Sequence, residues 1–322
     1  MKAVRVHAPG GPEALRYEDV PQPTPKAGEV VVALEAIGVN FIDVYFRKGL
    51  YKAPMPFLLG LEGAGTVRAL GEGVEDVKIG DRVAYSSIPG SYAELVAVPV
   101  GRLVALPDGI SAEQGAAAMI QGMTAHFLAC AAWQLQWGQR CLVHAAAGGV
   151  GLLLCQIAKL RGAHVIGTVS TEEKAELARR AGADDIVFYE REDLVAAVKR
   201  LTGGKGVDVV YDGVGRATFE KSLDCVRARG MIVLYGQSSG PVPPFEIQLL
   251  NQKGSLFVTR PNLAHYVSTR EELLERAGDV FRWIRDGKLE VRIGAEFPLR
   301  EAAEAHRALE GRNTTGKVLL IP

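Results

Sequence analysis

The sequence predicts an α/β fold, a doubly wound parallel sheet joined to a second, β-rich domain, and three observations predict it. Residues 142–159, LVHAAAGGVGLLLCQIAK, read as a buried strand, a turn with no side chain larger than valine, and a helix. Apolar runs at residues 164–169, 207–212 and 231–236 then alternate with helical patterns, the mark of a parallel sheet covered on both faces. Residues 1 to 120 lack that alternation. They carry short β-like runs broken by glycine turns, which suggests a small barrel-like or rolled β domain.

The bare turn is the centre of the second part. It lets backbone approach a ligand closely, and the helix behind it points free N–H groups and a positive dipole end into the turn. The matching guest is a dinucleotide pyrophosphate. The three-glycine fingerprint of such sites has Ala146 in its first place and Gly148 and Gly151 in the other two. The next strand, HVIGTV, ends in Ser170 and Thr171, where sites selective for NAD carry an acid. Glu172 and Glu173 fall at the start of the following helix, where they cap it and offset its dipole. Lys174 follows, and a hydroxyl with a lysine suits a 2′-phosphate by hydrogen bond and charge.

Taken in order, residues 2–7 read as strand, and the proline-rich VPQPTPKAG at 20–28 cannot be helix. Residues 29–39 are strand again, and 40–49 have helical spacing. Residues 66–70 and 91–98 complete the β runs. Ser111 with Gln114 resembles a capping box opening an alanine-rich helix over 112–133, with a break expected at Gln121-Gly122. Residues 271–286 are an amphipathic helix; 289–293 read as strand, 299–309 as helix and 317–321 as strand. The tail after about residue 260 shares no pattern with the parallel sheet and is expected to return to the β domain.

The chain has 322 residues, enough for two domains, with 37 basic and 37 acidic side chains and so no net charge. No basic stripe is present, which argues against a nucleic-acid partner. Cys130, Cys141, Cys155 and Cys225 sit singly in apolar segments and are expected to be buried, reduced thiols. The opening MKAVRVH already alternates like a strand, and no apolar run approaches membrane-spanning length. A soluble, cytoplasmic protein with no membrane partner is expected.

Several segments together resemble one family: NFIDVYFRKGLY at 40–51, GLEGAG at 60–65, GDRVAY at 80–85, QGMTAH at 121–126, the turn AAGGVG at 146–151 with Gln156 and Lys159, GQSSG at 236–240 and NQKGSLFVTRP at 251–261. The chain resembles the zinc-independent quinone oxidoreductases, the zeta-crystallin group of the medium-chain dehydrogenase/reductase superfamily. The resemblance implies a GroES-like catalytic domain over 1–122 and 262–322 and a Rossmann dinucleotide-binding domain over 123–261. It implies NADPH-dependent reduction of a quinone or another flat electrophilic acceptor, without metal. Relatives with these motifs also reduce enals and enones or bind NADPH in non-redox roles.

Where zinc-dependent members carry a cysteine and a histidine, this chain has Asn40 and Leu61. Glu62 alone remains in place, and no cysteine precedes Cys130. One carboxylate cannot hold zinc, which needs three or four ligands. By the resemblance, Asn40, Tyr45 and Tyr51 stand at the reacting centre. Asn40 and Thr124 would touch the nicotinamide side of the cofactor, and Gly148, Gly149 and Val150 its pyrophosphate. Ser170, Lys174 and Tyr189 would form the 2′-phosphate pocket. Gly236, Gln237 and Ser238 would line the cofactor cleft, and Phe257, Val258 and Thr259 would bind the carboxamide through their backbone. Arg260 and Arg312 would be cationic contacts. A homodimer is also implied, through the sheet edge around 245–259.

Overall fold

The computed structural model describes residues 1–312 and 314–322. The chain opens with strands β1 (Lys2–Val6), β2 (Leu15–Asp19) and β3 (Glu29–Val39), then helix α1 (Phe41–Arg47). Strands β4 (Phe57–Leu58), β5 (Glu62–Leu70), β6 (Arg82–Ser86), β7 (Leu95–Pro99) and β8 (Leu103–Ala105) follow, then helix α2 (Ala112–Phe127). The middle of the chain alternates β9 (Arg140–Val143), α3 (Gly149–Leu160), β10 (His164–Val169), α4 (Glu172–Arg180), β11 (Asp185–Phe188), α5 (Leu194–Leu201) and β12 (Val207–Asp212). It continues through α6 (Phe219–Cys225), β13 (Val226–Leu234), α7 (Gln248–Gln252), β14 (Phe257–Thr259) and α8 (Leu263–Tyr266). Helix α9 (Arg270–Arg285), β15 (Ile293–Pro298), α10 (Ala302–Glu310) and β16 (Lys317–Ile321) end it.

The chain divides into two units. The first comprises Met1–Met123, Val267–Gly287 and Val291–Pro322; the second comprises Thr124–Tyr266 and Lys288–Glu290. The second unit therefore runs past the expected limit of residue 261 and takes back a short later segment. Two contacts account for this. Tyr266 stacks on Phe127 with ring centroids 4.3 Å apart. The Gln156 amide takes both backbone groups of Glu290, accepting its N–H at 2.7 Å and donating to its carbonyl at 3.0 Å. That clamp also explains why residues 289–293 are not the expected strand: Glu290 has no backbone group left for a ladder, and β15 begins only at Ile293.

In the second unit the sheet runs β11-β10-β9-β12-β13-β14, all parallel. Strands in such a sheet are covered on both faces and so read as unbroken apolar runs. Leu142, Ile166, Val210 and Ile232, one from each of four strands, are fully buried with Val198 of α5 and Leu223 of α6. The order of connection reverses between β9 and β12, the switch point where open α/β sheets bind ligands beyond the strand ends.

In the first unit seven strands form one sheet, β15-β16-β3-β5-β6-β8 with β7 also on β3, and β2-β1-β4 form another. The C-terminal β16 lies antiparallel on β3, with Val318 opposite Val39. Val30, Val32, Ile37, Val67 and Leu320 close its core. The strand expected over 91–98 starts only at Leu95. Its first residues turn to β1 instead, where the Tyr92 carbonyl accepts the Val4 N–H at 2.7 Å and Ala93 bridges Ala3.

The break expected at Gln121-Gly122 is absent, and α2 runs through it. Gly122 is there for space. A Cβ on it would lie 2.9 Å from Cγ1 of Val280, so the missing side chain lets α9 approach. With the π-helical turn Leu128–Ala132 the helical stretch reaches 21 residues, long and apolar enough to cross a membrane, against the expectation that no run would be; 72% of its apolar window is buried inside the protein. Cys141, Cys155 and Cys225 are buried, whereas Cys130, in that last turn, is partly exposed. Gly122→Leu is expected to cost about 1–3 kcal/mol by overpacking, read as a lower denaturant midpoint, and adding Val280→Ala should recover part of the loss. Additive losses in the double variant would contradict the packing account.

Candidate active site

The glycine turn of the second unit is built to leave donors open. Gly148 is the N-cap of α3 and has no side chain to offer, so the N–H groups of Gly149, Val150 and Gly151 have no side-chain cap among the described residues. The neighbouring helices differ. Thr171 caps α4 through the Lys174 N–H, and Asp193 caps α5 through the Ala196 N–H. The turn is held from behind by Thr168, whose carbonyl accepts from Ala146 N–H at 3.1 Å. A Cβ at Gly151 would collide with the Ala145 carbonyl, so this glycine sets how closely helix and turn pack. The methyl of Ala146 is accommodated across the sheet, where a Cβ on Gly167 would come within 2.9 Å of it. The space expected from a first glycine is supplied by β10.

Past the next strand, the Lys174 ammonium reaches the Ser170 hydroxyl at 3.4 Å, and Tyr189 beyond β11 is 39% exposed. Gly236, Gln237 and Ser238 follow β13 and fold back on the loop after β12, with Ser238 N–H on the Gly213 carbonyl at 3.2 Å. Phe257, Val258 and Thr259 form β14, the outer edge, paired on one side only with β13. Thr124 is nearly buried in α2. Arg312, like Asn40 among the expected cofactor residues, belongs to the first unit, in a left-handed turn with φ of 58°.

In the first unit the sheet register gathers residues far apart in sequence. Asn40 follows β3, Glu62 opens β5 and Lys317 opens β16, and β3 lies between the other two. Asn40 Oδ1 accepts from Lys317 Nζ at 3.0 Å and from Gln121 Nε2 at 3.3 Å, and its Nδ2 donates to Glu62 Oε1 at 2.6 Å. Lys317 also pairs with Glu62 directly, and both side chains are out of water. The second Glu62 oxygen accepts the Ile120 N–H of α2 at 2.5 Å. A Cβ on Gly38 would collide with the Glu62 carboxylate, which crosses β3 at that point. Beside this cluster Tyr45 is buried and meets Tyr51 edge-on, ring centroids 5.5 Å apart. The Tyr51 hydroxyl has no hydrogen-bond partner among the described residues.

Glu62 is the one remaining acid at the expected metal position. Its oxygens are taken by an ammonium, an amide and a backbone N–H. Among the described residues no group of three His, Cys, Asp or Glu side chains has the spacing to hold a metal ion. A zinc ion does not fit this donor set, because the cation is already supplied by Lys317.

Reading the sequence missed Lys317 and a second buried chain that starts at Asp43. Arg47 can only donate, so its contact with His306 Nδ1 at 3.0 Å makes that nitrogen the acceptor. His306 then carries its proton on Nε2 and gives it to the Tyr92 oxygen at 3.0 Å. Tyr92 donates to Asp43 Oδ2 at 3.2 Å, and the same oxygen accepts the Asn40 N–H at 2.8 Å. Burial, with the Arg47 charge beside it, pushes His306 down to about 3. Burial raises Asp43 to about 7, with Glu62 adding to the rise and the Asn40 N–H and Lys317 opposing it.

The comparisons with known proteins are consistent along the whole chain. Residues 26–108 match the family described as alcohol dehydrogenase GroES-like domain, and residues 149–275 match the one described as zinc-binding dehydrogenase. The chain is similar to a quinone oxidoreductase of Pseudomonas aeruginosa, 49% identical over 100% of this chain and 99% of that one. It is 42% identical to a 2-haloacrylate reductase of a Burkholderia species, over 100% and 99% of the two chains. Its structure superimposes on Escherichia coli quinone oxidoreductase, solved with NADPH, with a TM-score of 0.98 at 45% identity over 100% of both chains.

The raised Asp43 has a consequence for stability. A carboxyl that holds its proton longer in the folded chain favours folding below about pH 4, and that contribution is lost as pH rises through about 7. His306 acts oppositely: its contribution is present above its ordinary 6.5 and lost as pH falls toward 3. Asp43→Asn should therefore remove a contribution that falls with pH, so that between about pH 4 and 7 the unfolding midpoint changes more positively with pH in the variant than in the parent. Equal slopes in the variant and the parent chain would contradict the assignment.

Proposed function

The chain belongs to the quinone oxidoreductase group of the medium-chain dehydrogenase/reductase superfamily, and we propose that it reduces quinones with NADPH and without a metal. The observation that carries this reading is near-half identity to quinone oxidoreductases over the full length of both chains. Bound NADPH supplies a hydride, so that NADPH, a quinone and a proton give NADP⁺ and a hydroquinone. Quinones accept hydride readily, so no Lewis acid is required to polarise the carbonyl.

The residues divide by task. The open N–H groups of Gly149 and Val150, with Gly148 before them, receive the pyrophosphate at the positive end of α3. Ser170, Lys174 and Tyr189 bind the 2′-phosphate, whose charge favours NADPH over NADH. Gly236, Gln237 and Ser238 lie beyond the carboxyl end of β13 and flank the cofactor. Phe257, Val258 and Thr259 offer edge-strand backbone to the carboxamide, Thr124 lies on the nicotinamide side, and Arg312 adds a cationic contact. Asn40, Tyr45 and Tyr51 receive the quinone, Asn40 by an N–H to its oxygen and the two tyrosines by their ring faces and hydroxyls. Catalysis then rests on holding a flat acceptor against the hydride donor. The protein acts in the cytoplasm as a homodimer, for which the unpaired β14 edge and the exposed Phe245, Ile247 and Phe257 supply a surface.

A second reading, reduction of α,β-unsaturated carbonyls, is favoured by the 2-haloacrylate reductase among the relatives. It needs a proton at the carbon next to the carbonyl, and the open hydroxyl of Tyr51 is the donor at hand. An acceptor panel separates the two. The quinone reading predicts NADPH oxidation with an ortho-quinone well above that with an enal or 2-haloacrylate, and the reverse order would overturn it. For the cofactor pocket, Lys174→Ala should raise KM for NADPH about 10- to 100-fold, the cost of a lost charge-assisted contact, and leave KM for NADH nearly unchanged. Equal effects on the two cofactors would remove Lys174 from the pocket.

A further inference from the structure

We infer that Lys317 is a positioning residue that fixes the amide of Asn40 and aims its one open N–H at the reacting carbonyl. The inference rests on Asn40 acting as the donor to that carbonyl. An amide can be turned end for end at little intrinsic cost, so its direction is decided by its partners. Here the partners leave no choice. Oδ1 faces two donors, the Lys317 ammonium at 3.0 Å and Gln121 Nε2 at 3.3 Å, while Nδ2 faces a carboxylate oxygen at 2.6 Å. The turned amide would set N–H against an ammonium and C=O against a carboxylate.

Both lone-pair directions of Oδ1 are thereby used, and one of the two Nδ2 hydrogens. The second Nδ2 hydrogen has no acceptor among the described residues, and Asn40 keeps 6% of its surface open. A carbonyl oxygen gains negative charge as hydride arrives, and a donor already pointing at it stabilises that charge without reorganising. Lys317 itself is 1% exposed, and its ammonium meets the amide at Oδ1, the end away from the open N–H. It acts through Asn40.

The test compares Lys317→Met, which keeps the length and removes the charge, with Lys317→Arg. Quinone kcat and KM, the NADPH Kd from cofactor fluorescence, and the ¹⁵N side-chain amide signal of Asn40 (assigned by its loss in Asn40→Ser) are measured on each. Lys317→Met should lose about 10- to 100-fold in quinone kcat, as a misaimed group does, with NADPH Kd within about twofold. The paired amide protons of Asn40 should shift and exchange faster with water, and Lys317→Arg should restore both readouts in part. A folded Lys317→Met with unchanged kcat and an unmoved Asn40 signal would overturn the assignment. Should the single variant not fold, Glu62→Gln with Lys317→Met removes both charges together. In that double variant a loss of kcat and a shift of the Asn40 signal beyond those of Glu62→Gln alone support the role of Lys317, and values equal to those of Glu62→Gln alone overturn it. A parent protein that turns over no quinone defeats the proposed activity, and the amide signal, which needs no turnover, then decides the role of Lys317 by itself.

Discussion

At one end of the seven-stranded sheet an ammonium and a carboxylate, both removed from water, hold the amide of Asn40 between them. Taking two charges out of water is expensive, and only close pairing with further hydrogen bonds offsets it. Lys317 and Glu62 meet that condition with each other, with Asn40 and with the Ile120 N–H. Much nearby follows from this. Gly38 must be a glycine so that the carboxylate can cross β3. Glu62, the one acid left at the metal position, is already neutralised. Burial raises the affinity of Asp43 for its proton, with the Glu62 charge adding to the rise and Lys317 opposing it. The direction of the Asn40 amide is set by the same pair.

The nucleotide unit follows a different physical rule. Its turn works by what it leaves out: a side chain at Gly148, a cap on α3 and a Cβ at Gly151. The substitution of alanine for the first glycine of the fingerprint is absorbed by Gly167 on the neighbouring strand. Close approach is therefore a property of the two strands together, and the local motif alone understates it.

The sequence makes the parallel sheet plain because each of its signals is local. Apolar runs and a bare turn lie within a few positions of the elements they define. The fold class and family could be read for the same reason. Lys317 could not, since it lies 277 residues from Asn40 and 255 from Glu62, and a lysine opening the strand KVLLI looks like a solvated flank. The one trace was Gly38 inside the β-branched run EVVVALEAIGV, where a glycine marks a close approach without saying of what. Gly122 misled for a related reason, because glycine breaks an exposed helix but lets a buried one touch its neighbour. The chain of Arg47, His306, Tyr92 and Asp43 was likewise beyond local reading, since it joins α1 to α10.

A buried lysine thus supplies positive charge beside Glu62, the acid at the expected metal position. The measurement that tests this most directly is quinone turnover by protein dialysed against a strong chelator, with zinc content determined on the same sample. The expected result is undiminished NADPH-dependent quinone reduction by protein that contains no zinc, with no gain when zinc is returned. Loss of activity on chelation, restored by stoichiometric zinc, would contradict it.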